Sequence, residues 1–235
     1  MLAEASEVRL GTGLTAGAQD DQANVTTSGS LLDARDTGFI RIAGDLSLER
    51  NLAIATPGMV GADIDIGGAL NGPFNLVLDA GAGDVSLGGA IGGTEALRSV
   101  VVGATAASLG SVAVAQAFDL AGVGETTLRG GVIEAAMGGL LRFGGGVRVA
   151  GDTSIAAPDG AIEFGGGLTP IGAPALTLDL GTTPLVLASD LGSAAAPFSA
   201  VTLRAGSVDA ASIFTTDRIA FESQAIALRG SVYQA

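Results

Sequence analysis

Short apolar bursts recur about every seven to ten residues along this chain: Phe39–Ile42, Leu46–Leu48, Leu52–Ile54, Ile64–Ile66, Leu76–Leu78, Val85–Leu87, Val100–Val102, Val112–Val114 and Phe118–Leu120. Within a burst the apolar residues alternate with polar or small ones, as in I-D-I, L-V-L, V-S-L, V-A-V and F-D-L. A period of two places every second side chain on one face, the mark of a half-buried β-strand. The bursts are divided by Gly, Asp, Asn and Pro, which supply turns and positive φ. Gly88-Gly89, Gly144-Gly145-Gly146 and Gly165-Gly166-Gly167 fit sharp corners, where a Cβ would be penalised. The pattern predicts an all-β chain of strands three to five residues long. Two stretches, Ala104–Phe118 and Gly192–Ala200, hold enough alanine for a helical turn, and Gly110 and Pro197 keep either from being long.

The bursts also repeat on a longer scale. Phe74–Gly93 (FNLVLDAGAGDVSLGGAIGG) returns at Ala175–Ser193 (ALTLDLGTTPLVLASDLGS). Leu76, Leu78, Asp79 and Gly81 match Leu176, Leu178, Asp179 and Gly181; Val85, Leu87, Ile91 and Gly92 match Leu185, Leu187, Leu191 and Gly192. Gly38–Leu48 matches Gly139–Val149, Ile64–Gly67 matches Ile162–Gly165, Val100–Val102 matches Val201–Leu203, and Thr126–Ala135 matches Ile226–Ala235, where Leu-Arg-Gly is identical. A self-similarity of about 100 residues thus covers nearly the whole chain, the signature of a repeat architecture. The phases run approximately as a partial copy over 1–30 and full copies over 31–131 and 132–235. Both ends fall inside a period, as expected of one continuous unit, 1–235, taken from a longer array.

Two architectures produce strands of this length and spacing: tandem β-sandwiches of about 100 residues each, and a β-solenoid in which three short strands and three turns make one coil of about 20 to 25 residues. Sandwich cores usually carry a buried tryptophan or a tyrosine corner; this chain has no tryptophan and one tyrosine, Tyr233. The apolar bursts run through the seam between copies without a charged or proline-rich linker. With 38 glycines, aromatics at 4% and an interior supply of Ala, Val, Leu and Ile, the core must be thin. These features favour a parallel β-helix of about ten coils, four or five to each copy and about 50 Å long at the strand spacing of about 4.8 Å per coil.

The run LVLDAGAGDVSLGGAIGGTEALRSVVVGA resembles the central repeat region of filamentous-haemagglutinin-like bacterial surface adhesins. Strand, Asp, glycine turn, alternating burst, Gly-Gly and strand follow one another there in the same style, and the likeness covers most of the chain. It implies a right-handed β-helix, export to the bacterial cell surface or beyond, and a role in adhesion, biofilm or filament building. No binding motif of that family transfers residue by residue.

Composition narrows the chemistry. The net charge is −13, and all 11 basic residues are arginines. That balance suits neither nucleic acid, which is held by neutralising its phosphates, nor an anionic membrane surface. No run of 18 apolar residues is free of breakers, so no membrane-spanning helix is expected, and MLAEASEVRL has neither a basic nor an apolar signal region. Absence of His, Cys and Lys removes the usual nucleophile–base pairs and transition-metal ligands. The expected catalytic, cofactor-binding and metal-site residues are none.

Asp63 and Asp65, at i and i+2, point the same way on a strand; with Asp20-Asp21 and Asp33/Asp36 they are the candidate acid pairs for polysaccharide cleavage, and their plain reading is a solvated outer face. Ca²⁺ is a more credible ligand for such an acidic surface, but the glycine–aspartate nonapeptide of calcium-binding β-rolls does not occur, and no cofactor is expected. Asp79 and Asp179 are expected to accept hydrogen bonds from their own turns. Gly11-Thr12-Gly13 lacks the GK[ST] of a phosphate loop. Arg129 and Arg229 are expected to ladder against carboxylates of adjacent coils. The leading expectation is a structural or adhesive module, not an enzyme, which associates with itself, with other surface or matrix components, or with glycans. A tailspike-like, carbohydrate-active β-helix and a self-assembling filament subunit are the alternatives.

Overall fold

The computed structural model describes residues 39–56 and 60–234, with the backbone alone at 234. Ahead of them it describes the backbone of five strands, Glu7–Leu10, Leu14–Thr15, Gln19–Asp21, Asn24–Thr27 and Leu31–Asp33. Every pairing among these strands is parallel, and the chain winds as a β-solenoid with three flat sides. Ladder one begins with Glu7–Leu10 and Asn24–Thr27 and continues through Leu46, Leu70, Ile91, Val112, Ile133, Ile155, Leu178, Leu203 and Phe221. Ladder two runs from Leu14–Thr15 through Leu32, Ile54, Leu78 and Val102, then down the column Phe118, Leu141 and Ile162. Ladder three runs from Gln19–Asp21 through Ile40, Ile64, Val85, Ala107, Thr126, Val147, Leu168, Leu191, Ile213 and Tyr233. From Ile40 to Tyr233 that is about nine turns, or about 43 Å at about 4.8 Å per rung.

The period of two explains the core directly. Alternate residues of each strand turn inward, and their columns from three sides meet in one continuous apolar interior with Phe118, Phe143 and Phe198 as its largest fully buried members. The sandwich alternative is thereby excluded. So are the helical turns expected at Ala104–Phe118 and Gly192–Ala200: the first lies in the long strands Leu97–Leu109 and Val112–Leu128, the second in a turn followed by the strand Phe198–Arg204. Alanine's helix preference is small, and the alternation V-A-V-A-Q-A-F-D-L buries Val112, Val114, Phe118 and Leu120 only as a strand. Ladder two is interrupted once, between Ala161–Phe164 and Pro184–Leu187, after which Pro184–Leu187, Ser207–Ala210 and Ala225–Leu228 form a sheet of their own. Pro184 has no amide to donate at that junction.

The long repeat does not stack on itself. From Leu76 on ladder two the chain revisits that side at Val100, Phe118, Leu141 and Ile162, four full turns. It then passes ladder three at Leu168 and meets Leu176 on ladder one. One copy is therefore four and two-thirds turns. Matched residues keep their inward or outward direction but move to another side: Ile91 of ladder one matches Leu191 of ladder three, and Ile64 of ladder three matches Ile162 of ladder two.

Five described polar residues are buried, Thr56, Thr126, Thr153, Ser212 and Thr215, and Thr126 stands apart from the rest. Thr126 lies between Ala107 and Val147 on ladder three and is 1% exposed, and its hydroxyl has no hydrogen-bond partner. The matching residue of the next copy is Ile226. A buried hydroxyl without a partner loses its hydration for nothing, at about 1–3 kcal/mol. Thr126→Val is expected to raise stability by about 1 kcal/mol, read as a rise of about 2–4 °C in thermal midpoint for a chain of this size. An unchanged or lower midpoint would mean that the hydroxyl is satisfied in solution.

Candidate functional surface

The outward residues carry the polar chemistry, and a single arrangement recurs among them. Asp or Asn immediately before the first inward residue of a rung accepts the backbone amide of the residue one turn further on. Asp45 Oδ1 takes the Ala69 amide at 2.7 Å, Asn51 that of Asn75 at 3.0 Å, Asp63 that of Asp84 at 2.9 Å and Asp84 that of Ala106 at 3.1 Å. Asp152 takes the Ala175 amide at 2.8 Å and Asp190 the Ser212 amide at 2.9 Å. The residues that follow these acceptors, Leu46, Leu52, Ile64, Val85, Thr153 and Leu191, are all buried. Each such side chain ties one coil to the next at its corner. Asp159 does the same at another corner, accepting both the amide (3.1 Å) and the hydroxyl (2.6 Å) of Thr182. Those bonds, the hydroxyl first, hold its carboxyl below the ordinary carboxylate range.

Arginines tie coils in a second way. Arg142 sits between Asp119, one turn below at 3.2 Å, and Glu163, one turn above at 2.7 Å. Arg204 is placed likewise between Asp179 at 3.9 Å and Glu222 at 2.7 Å, and the bond to Glu222 raises its pKa above the usual arginine value, as Glu163 does for Arg142. Arg41 pairs with Asp65 at 3.1 Å and Arg148 with Glu125 at 3.4 Å. All are solvated, so each contributes little alone; together they leave few outward carboxylates in a position to act on a ligand.

The candidate acids fall into this scheme. Asp63 and Asp65 do project to the same side, yet Asp63 reaches up to Asp84 and Asp65 down to Arg41; they share no site. Asp20-Asp21 and Asp33 belong to strands of which only the backbone is described, and Asp36 and Gly11-Thr12-Gly13 lie outside the described residues. Among the described residues no group of three or more acidic, His or Cys side chains gathers to hold a metal ion. Asp79 and Asp179 cap their own turns as expected, accepting the amides of Gly81 (3.1 Å) and Gly181 (2.9 Å), whose φ of 55° and 60° suit a residue without a Cβ.

The two arginines of the repeated tripeptide diverge. Arg229 pairs with Asp209 of the coil below, as expected. Arg129 finds no carboxylate: it donates to the Ser108 hydroxyl at 3.4 Å and to the Leu87 carbonyl two turns below. The position that holds Asp209 in one copy holds Ser108 in the other, which is why the ladder forms only once.

No protein-family model matches this chain, and no curated protein or solved structure is similar to it.

A hollow of about 360 Å³ on ladder one is lined mainly by alanines, with Met137, Pro158 and Glu134 at its edge, and a smaller one of about 180 Å³ shares Glu134 and Ala113 with it. Glu134 stands in the column Ala113–Glu134–Ala156, a lone carboxylate with no second acid, arginine or aromatic platform in the lining. Carbohydrate cleavage needs paired carboxyl groups, and this hollow offers one.

The coil-to-coil Asx bonds differ from the solvated outer face that the sequence pattern predicts for these acids. A signal was present: an Asp or Asn directly preceding the first apolar residue of a burst, repeated at the coil length of 21 to 24 residues.

Proposed function

We propose that this chain is a structural and adhesive repeat module of a long, secreted bacterial surface or extracellular-matrix fibre, and that it performs no catalysis. The observation that carries this reading is the use of the outer surface. Most of its described acids and arginines are engaged in joining coils or capping turns, so what the module offers is length and an acidic, repetitive exterior. A copy of four and two-thirds turns supports the reading further, since successive copies present equivalent surfaces on successive sides of a rod. The partners that fit are other copies, cell-surface or matrix components, and glycans met over a broad face.

The test couples the protein to beads and measures their retention on bacterial cells, matrix and host-cell glycans, beside an assay for reducing ends released from the same polysaccharides. Retention without release is expected. Release of oligosaccharide would instead support the depolymerase alternative, and neither retention nor release would sink the adhesive part of the reading.

A further inference from the structure

Outward arginines of this solenoid are matched, as a rule, by an acid one rung away. Asp119, Arg142 and Glu163 stand in one column, and Asp179, Arg204 and Glu222 in another. Where ladder two begins, that order is inverted. Leu52 pairs with Leu76 and Asn75 with Ser99, so the residues beside them form two columns, Arg50–Phe74–Arg98 and Asn51–Asn75–Ser99. Both arginines are exposed, and the half-buried Phe74 lies on the rung between them. They stand two rungs apart, about 10 Å at about 4.8 Å per rung. Among the described residues neither has a carboxylate partner; Glu49 and Glu95, the acids nearest in sequence, form an ion pair with neither.

The fold does not require these two charges. The matching positions of the other copy are Gly151 and Ser199, and the coils close there without them. Asp152 makes the same corner bond in that copy as Asn51 makes here. With Asn in its place, the corner bond is kept and the carboxylate beside Arg50 is gone.

We propose that this corner binds an acidic polysaccharide, its uronate carboxylates on Arg50 and Arg98 and the sugar between them on Phe74; the proposal rests on the reading of the module as one that meets glycans. The polar groups agree in sign. Asn51 gives its side-chain oxygen to the Asn75 amide at 3.0 Å, and Asn75 gives its own to the Ser99 hydroxyl at 2.7 Å. Two NH₂ groups are left as donors beside two guanidinium groups, and such a face takes carboxylate and hydroxyl oxygens. In a protein of net charge −13 the rest of the surface repels an anionic polymer, so the arginine pair fixes where it lies. An acidic peptide fits less well. Leu52–Ala55 and Asn75–Asp79 are hydrogen-bonded to a neighbouring strand on both edges, which leaves no free edge here to pair a peptide backbone.

The test is titration calorimetry at low ionic strength with polygalacturonate, beside a neutral glucan and polyglutamate. The parent is expected to bind polygalacturonate and neither of the others. Arg50→Ser and Arg98→Ser are each expected to weaken binding about three- to tenfold, and the double variant to lose it with the parent's thermal midpoint. Arg148→Ser, which removes an arginine already paired with Glu125, is expected to leave binding unchanged. No binding by the parent, equal binding by the double variant, or polyglutamate bound as tightly as polygalacturonate would overturn the proposal. Parent beads held on cells or neutral glycans without affinity for polygalacturonate would sink this site and leave the adhesive reading standing; parent beads held on nothing would sink both.

Discussion

Gly145→Ala is expected to destabilise the protein by about 3 kcal/mol or more, in the range of the severe overpacking changes, although the residue is a corner glycine on the outer wall. An ideal Cβ at position 145 would stand 1.8 Å from the Gly124 carbonyl oxygen and 2.4 Å from its carbon, both backbone atoms one turn below. Backbone cannot swing aside as a side chain can, so the corner must lift off the coil beneath it, and the ladders on either side of the corner then lose register. The adjacent Gly146 provides the control. Its Cβ would meet nothing within 4 Å, and it does not adopt positive φ, so Gly146→Ala is expected to be neutral or slightly stabilising through the unfolded chain. Equilibrium denaturation of both variants decides the matter: similar midpoints would remove the close-approach account of the corner.

That contrast separates what neighbouring residues specify from what the stacking of coils specifies. Gly144-Gly145-Gly146 and Gly165-Gly166-Gly167 do lie at corners, but none of the six has positive φ. Four of them are held by close approach: Gly144 and Gly145 rest on Ala121 and Gly124, and Gly165 and Gly166 on Gly144 and Gly145, the last two with carbonyl oxygens 2.0 and 2.8 Å from where a Cβ would be, whereas Gly146 and Gly167 meet no atom closer than 3.9 Å. A local motif cannot announce such a reason, since the atom that forbids the side chain is a whole coil away in sequence. Local information did suffice for the strands. Leu46–Leu48 and Ile64–Ile66 are strands with the bounds that alternation gave, and Val85–Leu87 and Leu76–Leu78 grow by one or two residues. The turn at Asp79-Ala80-Gly81 was readable for the same reason, its acceptor and donor being two residues apart.

The repeat marks the boundary from the other side. Leu76 and Leu176 match in sequence and in burial but lie on different ladders. Self-similarity preserves the in–out order along the chain; the side on which a residue falls depends on the sum of coil lengths between, and these vary from turn to turn. Arg129 illustrates the consequence. Its partner is decided by residue 108, which is Ser where the other copy has Asp209. For the same reason the outward acids read as free solvent-facing charge. Their bonds run to amides 21 to 24 residues away, and only once the coil length is known does Asp63 fall beneath Asp84.

The interior column offers the second large effect. Phe143 is almost wholly buried on ladder two, edge-on to Phe118 (ring centroids 6.5 Å apart, planes at 68°) and stacked on Phe164 (5.3 Å, 12°). Phe164, backbone-paired with Phe143, closes this column on the last rung before the hydrogen bonding of ladder two breaks ahead of Pro184–Leu187, so the ring stack ends at that break. Phe143→Ala removes the ring from a core too thin to collapse around the gap and is expected to cost about 3–5 kcal/mol. Phe143→Ile, the residue that the matching position Ile42 carries, keeps most of the volume and should lose markedly less. In a solenoid each coil contacts only its neighbours, so the damage should also be local. Amide exchange is the measurement that separates a local from a global loss. Protection at Phe118, Leu141 and Ile162 should fall in Phe143→Ala, while Ile64 and Leu78, several turns below, keep theirs. Uniform loss of protection along the rod would mean that the coils unfold as a single cooperative unit, and that the stability of this protein is set by the whole stack rather than by neighbouring turns.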